Sequence, residues 1–368
     1  MIDRVPLLDL GRQYAPLKAS LDKAVLAVLA HGHFINGPEV KEFEKASAAY
    51  VGAKHAIGVA SGTDALLLAL RALGVGPGDE VVIPTFTFFA TAGVVSNLGA
   101  RPVFVDVESD TYNMDVSAIE AAITPRTKAI MPVHLFGQCA DMDAILKIAL
   151  RHGLPVVEDA AQALSARFGK RQAGTVGKIG CYSFFPTKNL GCLGDGGLIV
   201  TDDDRLGALL RKLKAHGAEP KYYHELVGYN SRLDTIHAAA LLVKLPHLDT
   251  WSKQRRENAA RYDRLLAGVN VERPVDKKLG YHIYNQYTIA VDNREGLRAH
   301  LKKRNIGHEV YYPVPLHLQK CFTDLGGKQG DFPVSERAAL RVCSLPIFPE
   351  ITVEEQEYVA QAVKEFVG

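Results

Sequence analysis

The first regular feature of the chain is a pair of amphipathic helical stretches, about Leu17–Ala30 and Pro38–Tyr50, with apolar residues at helical spacing. After them, short apolar runs alternate with helical ones. HAIGVA, EVVIP, PVFVDV, AIMPVH, PVVED, CYSFF and GLIVT read as strands, and several are apolar almost throughout. A strand without polar alternation is one buried on both faces, as in a mostly parallel sheet covered by helices. ALLLALRALG, VSAIEAAI and MDAILKIALRHG supply helices between them, so the pattern is α/β.

From Asp234 the texture changes to one long helical stretch, which Pro246 kinks or splits. A strand (YHIYNQYTIAV), a helix (EGLRAHLKKRN), a strand (HEVYY) and two helices follow. The expected division is a large domain, residues 1–245 with its N-terminal helical segment, and a smaller C-terminal α/β domain, residues 246–368 with the linking helix.

Composition narrows the picture mainly by exclusion. Of 368 residues, 43 are Lys or Arg and 41 Asp or Glu, with no basic stripe to suggest nucleic acid or a membrane surface. The 5 cysteines lack a C-x-x-C pair, so neither a disulfide framework nor a structural metal is expected. With no signal-like start and no apolar run of spanning length, a cytoplasmic protein is expected.

Three motifs fall at the ends of expected strands, where open α/β sheets bind ligands. In VASGTDALLLAL, Ser61 to Asp64 open a helix whose free N–H groups, with Gly62 and Thr63, suit a phosphate. The competing reading is that Ser61 only caps the helix. In LPVVEDAAQAL, Asp159 ends a buried strand, an arrangement that also suits a metal ligand or a histidine partner. In CYSFFPTKNLGCLGDGG, a strand runs into Lys188 and a glycine-rich turn; burial there favours the neutral, nucleophilic amine. Ser183 is a further candidate phosphate ligand.

In this order and spacing the motifs resemble the DegT/DnrJ/EryC1/StrS sugar aminotransferases, fold type I enzymes dependent on pyridoxal 5'-phosphate (PLP). GPEVKEFE, GVGPGDEVVIPTFTFFAT, YNMD, YNSRLDTIHAA and SLPIFPEIT extend the resemblance over nearly the whole chain. It implies that Lys188 forms the aldimine with PLP and shuttles protons, and that Asp159 pairs with the pyridinium nitrogen. It further implies that Gln162 contacts the phenolic oxygen, that Gly62, Thr63 and Ser183 hold the phosphate, and that Phe88 stacks on the ring. Asn230 would reach the phosphate of a neighbouring subunit, which makes a homodimer with shared sites the expected assembly. Relatives with histidine at the lysine position are dehydratases; Lys188 favours transamination.

The resemblance leans to enzymes that transfer an amino group from glutamate to UDP-2-acetamido-2-deoxy-3-oxo-glucuronate for bacterial surface polysaccharides. dTDP-linked 3-oxo or 4-oxo-6-deoxyhexoses are the alternative acceptors. Arg232 is the candidate cation for a hexuronate carboxylate, with a structural ion pair as its equal rival. Tyr311, Tyr312 and His317 are expected to line the acceptor pocket, although that branch often has histidine where this chain has Tyr311. His134, His216 and His237 read as structural. A different PLP reaction, with Arg337 or Arg341 on a donor carboxylate, and a ligand-binding regulator are the remaining readings.

Overall fold

The computed structural model describes residues 2–218 and 222–368. The N-terminal helices are α1 (Leu10–His31) and α2 (Pro38–Val51). Asp9 caps α1 by accepting from the Gly11 N–H, and both helices end on a left-handed glycine, Gly32 and Gly52.

The strands of the main body are β1 (His55–Val59), β2 (Glu80–Pro84), β3 (Arg101–Val105), β4 (Thr127–Ile130) and β5 (Val157–Asp159). Two-residue strands β6 (Arg167–Phe168) and β7 (Arg171–Gln172) form a ribbon, followed by β8 (Ile179–Ser183) and β9 (Gly197–Thr201). Hydrogen bonding orders one group β1-β9-β8-β5 and another β3-β2-β4. Parallel bridges Ile130–Val156 and Val133–Asp159 join them. The sheet is mostly parallel; β9 alone runs against both its neighbours. β2 and β9 are buried at every position, as their unbroken apolar runs require.

Helices α3 (Gly62–Ala72), α4 (Ala90–Asn97), α5 (Val116–Ala122), α6 (Met142–His152) and α7 (Asp204–Leu213) cover the sheet. Pro246 splits the long helical stretch as expected: α8 (Thr235–Lys244) passes through one 3-10 turn into α9 (Leu248–Leu265).

The C-terminal part differs from expectation in two places. YHIYNQYTIAV is not one strand: β10 (Gly280–Tyr281) joins the β6–β7 ribbon, and β11 (Tyr287–Ala290) follows after an irregular turn. HEVYY contributes only an isolated bridge from Glu309 to Ser344, because the chain then leaves the sheet toward Pro313, which has no N–H to give. Helices α10 (Arg294–Lys303), α11 (Pro333–Arg341) and α12 (Val353–Val367) complete this part, with β12 (Val342–Leu345) paired to β11. Thr352 and Glu355 form a reciprocal capping box at α12.

Two segments cross the residue 245/246 division. Val5 packs in the apolar cluster of Tyr287, Ile289 and Val359, while Leu316 and Phe322 pack in the cluster of the main sheet. Among the described residues no helix is long and apolar enough to cross a membrane.

Candidate active site

A cleft of about 640 Å³ opens at the C-terminal ends of the parallel strands. On one side stand Ser61, Gly62 and Thr63 at the start of α3, Asp159 at the end of β5, Ser183 at the end of β8, and Lys188. The other wall is the segment from Glu309 to Gln319, including Tyr311 and Tyr312.

Both sequence readings of Ser61 hold at once. Its Oγ accepts from the Asp64 N–H at 3.0 Å, so it is a helix cap, and it lies in the cleft. The N–H groups of Gly62 and Thr63, first in the helix, have no intrahelical acceptor and provide the anion seat. A Cβ on Gly62 would lie 2.6 Å from the Ser183 Cβ, and one on Gly197 would lie 2.3 Å from the Ser61 carbonyl oxygen. The cradle therefore closes only around glycine. Gly62→Ala is expected to weaken PLP binding about tenfold, from overpacking of ~1–3 kcal/mol. An absorbance titration with PLP checks this, and unchanged affinity would mean that Ser183 moves aside at no cost.

Asp159 is buried; its Oδ2 accepts from the Thr91 hydroxyl at 2.9 Å and its Oδ1 from the Ala161 N–H at 3.2 Å. Burial raises its pKa, an effect that these hydrogen bonds and Lys188 oppose only in part. The neighbouring Glu158 has a different task. It binds the Gly174 and Val176 N–H groups and His134, all out of solvent, which makes His134 structural.

Lys188 sits in a turn closed by its own N–H to the Phe185 carbonyl, and the buried ammonium of Lys244 donates to the Gly191 carbonyl. Its Nζ has no hydrogen-bond partner among the described residues. Burial pushes its pKa down to about 8, with Asp159 pulling the other way. A substantial fraction of the amine is thus neutral near physiological pH.

Gln162 also faces the cleft; its Oε1 accepts from the Phe136 N–H and its Nε2 donates to the Tyr312 hydroxyl at 3.1 Å. One amide hydrogen is left for a ligand. Phe88 presents an exposed ring to the cleft, 6.2 Å from the Tyr312 ring.

Three expected site residues lie elsewhere. His317 does not line the cleft: it is 2% exposed, with Nδ1 against the Thr85 hydroxyl, Nε2 against Glu336 and its ring on Phe332. It anchors the Glu309–Gln319 wall from behind. Asn230 is exposed and outside this cleft, as is Arg232, whose Nε is buried without a partner among the described residues. Arg337 and Arg341 face a separate cavity, where both pair with Glu272. Sequence reasoning missed Thr91, Asp195, Gln286 and Glu309; the latter three line the cleft. No motif marks a lone polar residue of this kind.

The family model for the DegT/DnrJ/EryC1/StrS aminotransferases matches residues 16–364. The chain belongs to this family. It is 52% identical over 98% of both chains to a "pleiotropic regulatory protein" of Geobacillus stearothermophilus. It is 45% identical to the UDP-2-acetamido-2-deoxy-3-oxo-D-glucuronate aminotransferase of Pseudomonas aeruginosa, over 98% of this chain and 99% of that one. A UDP-N-acetyl-3-dehydro-α-D-glucosamine 3-aminotransferase of Acidithiobacillus ferrooxidans is also 45% identical, with 98% and 97% covered. Among solved structures, S. venezuelae DesV, in complex with a ketimine intermediate, superposes with a TM-score of 0.97 at 45% identity, with 100% and 99% covered. NtdA of Bacillus subtilis, with bound cofactor PMP, gives 0.92 at 33% identity, with 100% and 86% covered.

This family member is a PLP-dependent sugar aminotransferase of the fold those enzymes share. The free N–H groups at α3, the glycine-tight cradle, the buried Asp159 and the unpartnered Lys188 all fit PLP.

Proposed function

We propose that this aminotransferase moves the amino group of glutamate to carbon 3 of a 3-oxo hexose carried on UDP, in the assembly of bacterial surface polysaccharide. The observation that carries the proposal is the cleft, which sets Lys188 and Asp159 opposite an aromatic wall of Tyr311 and Tyr312 large enough for a sugar. The P. aeruginosa and A. ferrooxidans relatives, both named for 3-oxo UDP-sugars, support the position aminated.

PLP, when bound, supplies the electron sink for the carbanion left as the donor loses its α-proton. Asp159 would pair with the ring nitrogen, and the Thr91 hydroxyl fixes the direction of that carboxylate. Nζ of Lys188 takes up the α-proton and returns a proton as the amino group passes to the sugar. Gly62, Thr63 and Ser183 would hold the phosphate, Gln162 would contact the ring through its remaining amide hydrogen, and Phe88 would stack on it.

UDP-2-acetamido-2-deoxy-3-oxo-glucuronate is one member of the acceptor class, and the uncharged 3-oxo sugar is another. A homodimer with shared sites is part of the proposal. Its support is that Asn230 and Arg232 lie off this protomer's cleft, where Lys188 is the only basic lining residue among the described residues. The amino-acid transaminase reading gains no support from Arg337 and Arg341, which are committed to Glu272 outside the cleft.

The test supplies PLP-loaded protein with glutamate and 3-oxo or 4-oxo sugar nucleotides, UDP-linked and dTDP-linked, and locates the new amine by NMR. Amination at carbon 3 of a UDP sugar is expected. Turnover confined to 4-oxo substrates would sink the proposal.

A further inference from the structure

The acceptor wall has a charge and an unanswered polar group that neither the cofactor nor the amino donor explains. Glu309 lines the cleft beside Tyr311 and Tyr312. Its main chain is tied on both sides to Ser344: the Ser344 N–H donates to the Glu309 carbonyl at 2.8 Å, and the Glu309 N–H donates back at 3.3 Å. Its Oε1 accepts from the Val310 N–H at 2.8 Å, and the exposed carboxylate pairs with no cation among the described residues. Gln286 lines the same cleft, and its Oε1 is buried with no donor among the described residues.

Among the described residues of one protomer, the charged side chains lining the cleft are three acids, Asp159, Asp195 and Glu309, and Lys188. With Asp159 and Lys188 assigned to PLP, the charge that this protomer places on the acceptor side is negative. An exposed carboxylate whose main chain is held by a β-bridge, and one buried acceptor without a donor among the described residues, suit a ligand that donates hydrogen bonds and brings no negative charge of its own. Sugar hydroxyls and an acetamido N–H do this; the carboxylate of a hexuronate does the opposite.

We propose that Glu309 and Gln286 are specificity residues that select an uncharged 3-oxo acetamido sugar over its 6-carboxylate. Glu309 takes a hydroxyl of the sugar and repels an acid placed there, and Gln286 Oε1 takes a second donor. This deepens the acceptor class proposed above and rests on it.

The experiment uses the PLP-loaded protein and two stable probes, UDP-N-acetylglucosamine and its 6-carboxylate, UDP-N-acetylglucosaminuronate, with binding read by calorimetry. Turnover of the two corresponding 3-oxo substrates is measured beside it. Wild type is expected to bind the uncharged probe at least about tenfold more tightly, the scale set by like charges a few ångströms apart at a protein surface. Glu309→Gln removes the repulsion and keeps the shape. It is expected to close that gap by raising affinity for the carboxylate probe, with visible absorption of bound PLP unchanged. Gln286→Leu is expected to weaken the uncharged probe several-fold.

Tighter binding of the carboxylate probe by wild type, or a preference unmoved in Glu309→Gln, would overturn the inference. If that tighter binding is lost in Arg232→Gln, a cation from a second copy is what answers the carboxylate. Amination of neither 3-oxo sugar, with the glutamate half-reaction intact, would instead remove the acceptor class and this inference with it.

Discussion

Lys188→Ala, loaded with PLP, is expected to lose the visible absorption of the lysine-bound cofactor and to retain roughly 10⁻² to 10⁻⁴ of the wild-type kcat. Spectra before and after adding glutamate check both halves: wild type shows a visible band that gives way to a pyridoxamine-like one, and the variant shows neither. A band that persists in the variant would assign the chemistry to another amine.

The same lysine carries a stability prediction that runs the other way. Its pKa is about 8 in the folded protein against an ordinary 10.5. Between those values the unfolded chain binds more protons than the folded one, so stability rises with pH across that window. The penalty is full below about pH 8 and gone above about pH 10.5. Lys188→Met should therefore stabilise the cofactor-free protein by up to about 3 kcal/mol at pH 7, and the advantage should vanish by pH 10.5. Urea unfolding of both proteins at the two pH values measures it. A wild type more stable than the variant at pH 7 would mean that the ammonium is paired after all.

Asp159→Asn is expected to lower kcat by about 10²–10³-fold, as when one preorganised electrostatic partner of a reacting group is removed. The amide keeps the shape and can still accept from Ala161, so the cofactor-free variant should melt no lower than wild type. That outcome separates loss of charge from loss of fold. A variant with more than a tenth of wild-type kcat would show that the ring nitrogen needs no carboxylate partner.

Much of this site was legible because its key residues stand at the ends of strands that are apolar from end to end. Asp159 and Ser183 each close such a run, and Lys188 follows in a turn rich in glycine, so period and punctuation located them. What the sequence did not reveal depends on approach in three dimensions. Thr91 lies in α4, a short helix rich in β-branched residues whose first turn has no side-chain cap, and the helices expected from the sequence do not include it. Its hydroxyl meets Asp159 across 68 positions of chain. His317 follows the aromatic pair by only a few residues and read as pocket lining. A short 3-10 turn rotates it behind the wall, where Thr85 and Glu336 hold it. Glu309 read as an ordinary strand residue; it keeps one bridge to Ser344 at the point where HEVYY leaves the sheet, and there it lines the cleft.

The phosphate seat is built from main-chain N–H groups and from glycines, whose contribution is the absence of a side chain. The facing wall, by contrast, comes mostly from one continuous segment, Glu309 to Gln319, with Gln286 beside it, and there side-chain chemistry is everything. Cofactor retention and substrate choice are thus encoded in physically separate stretches of chain. A lineage can rewrite the second without loosening the first, which makes the wall the natural place to redirect this scaffold toward a new amino sugar.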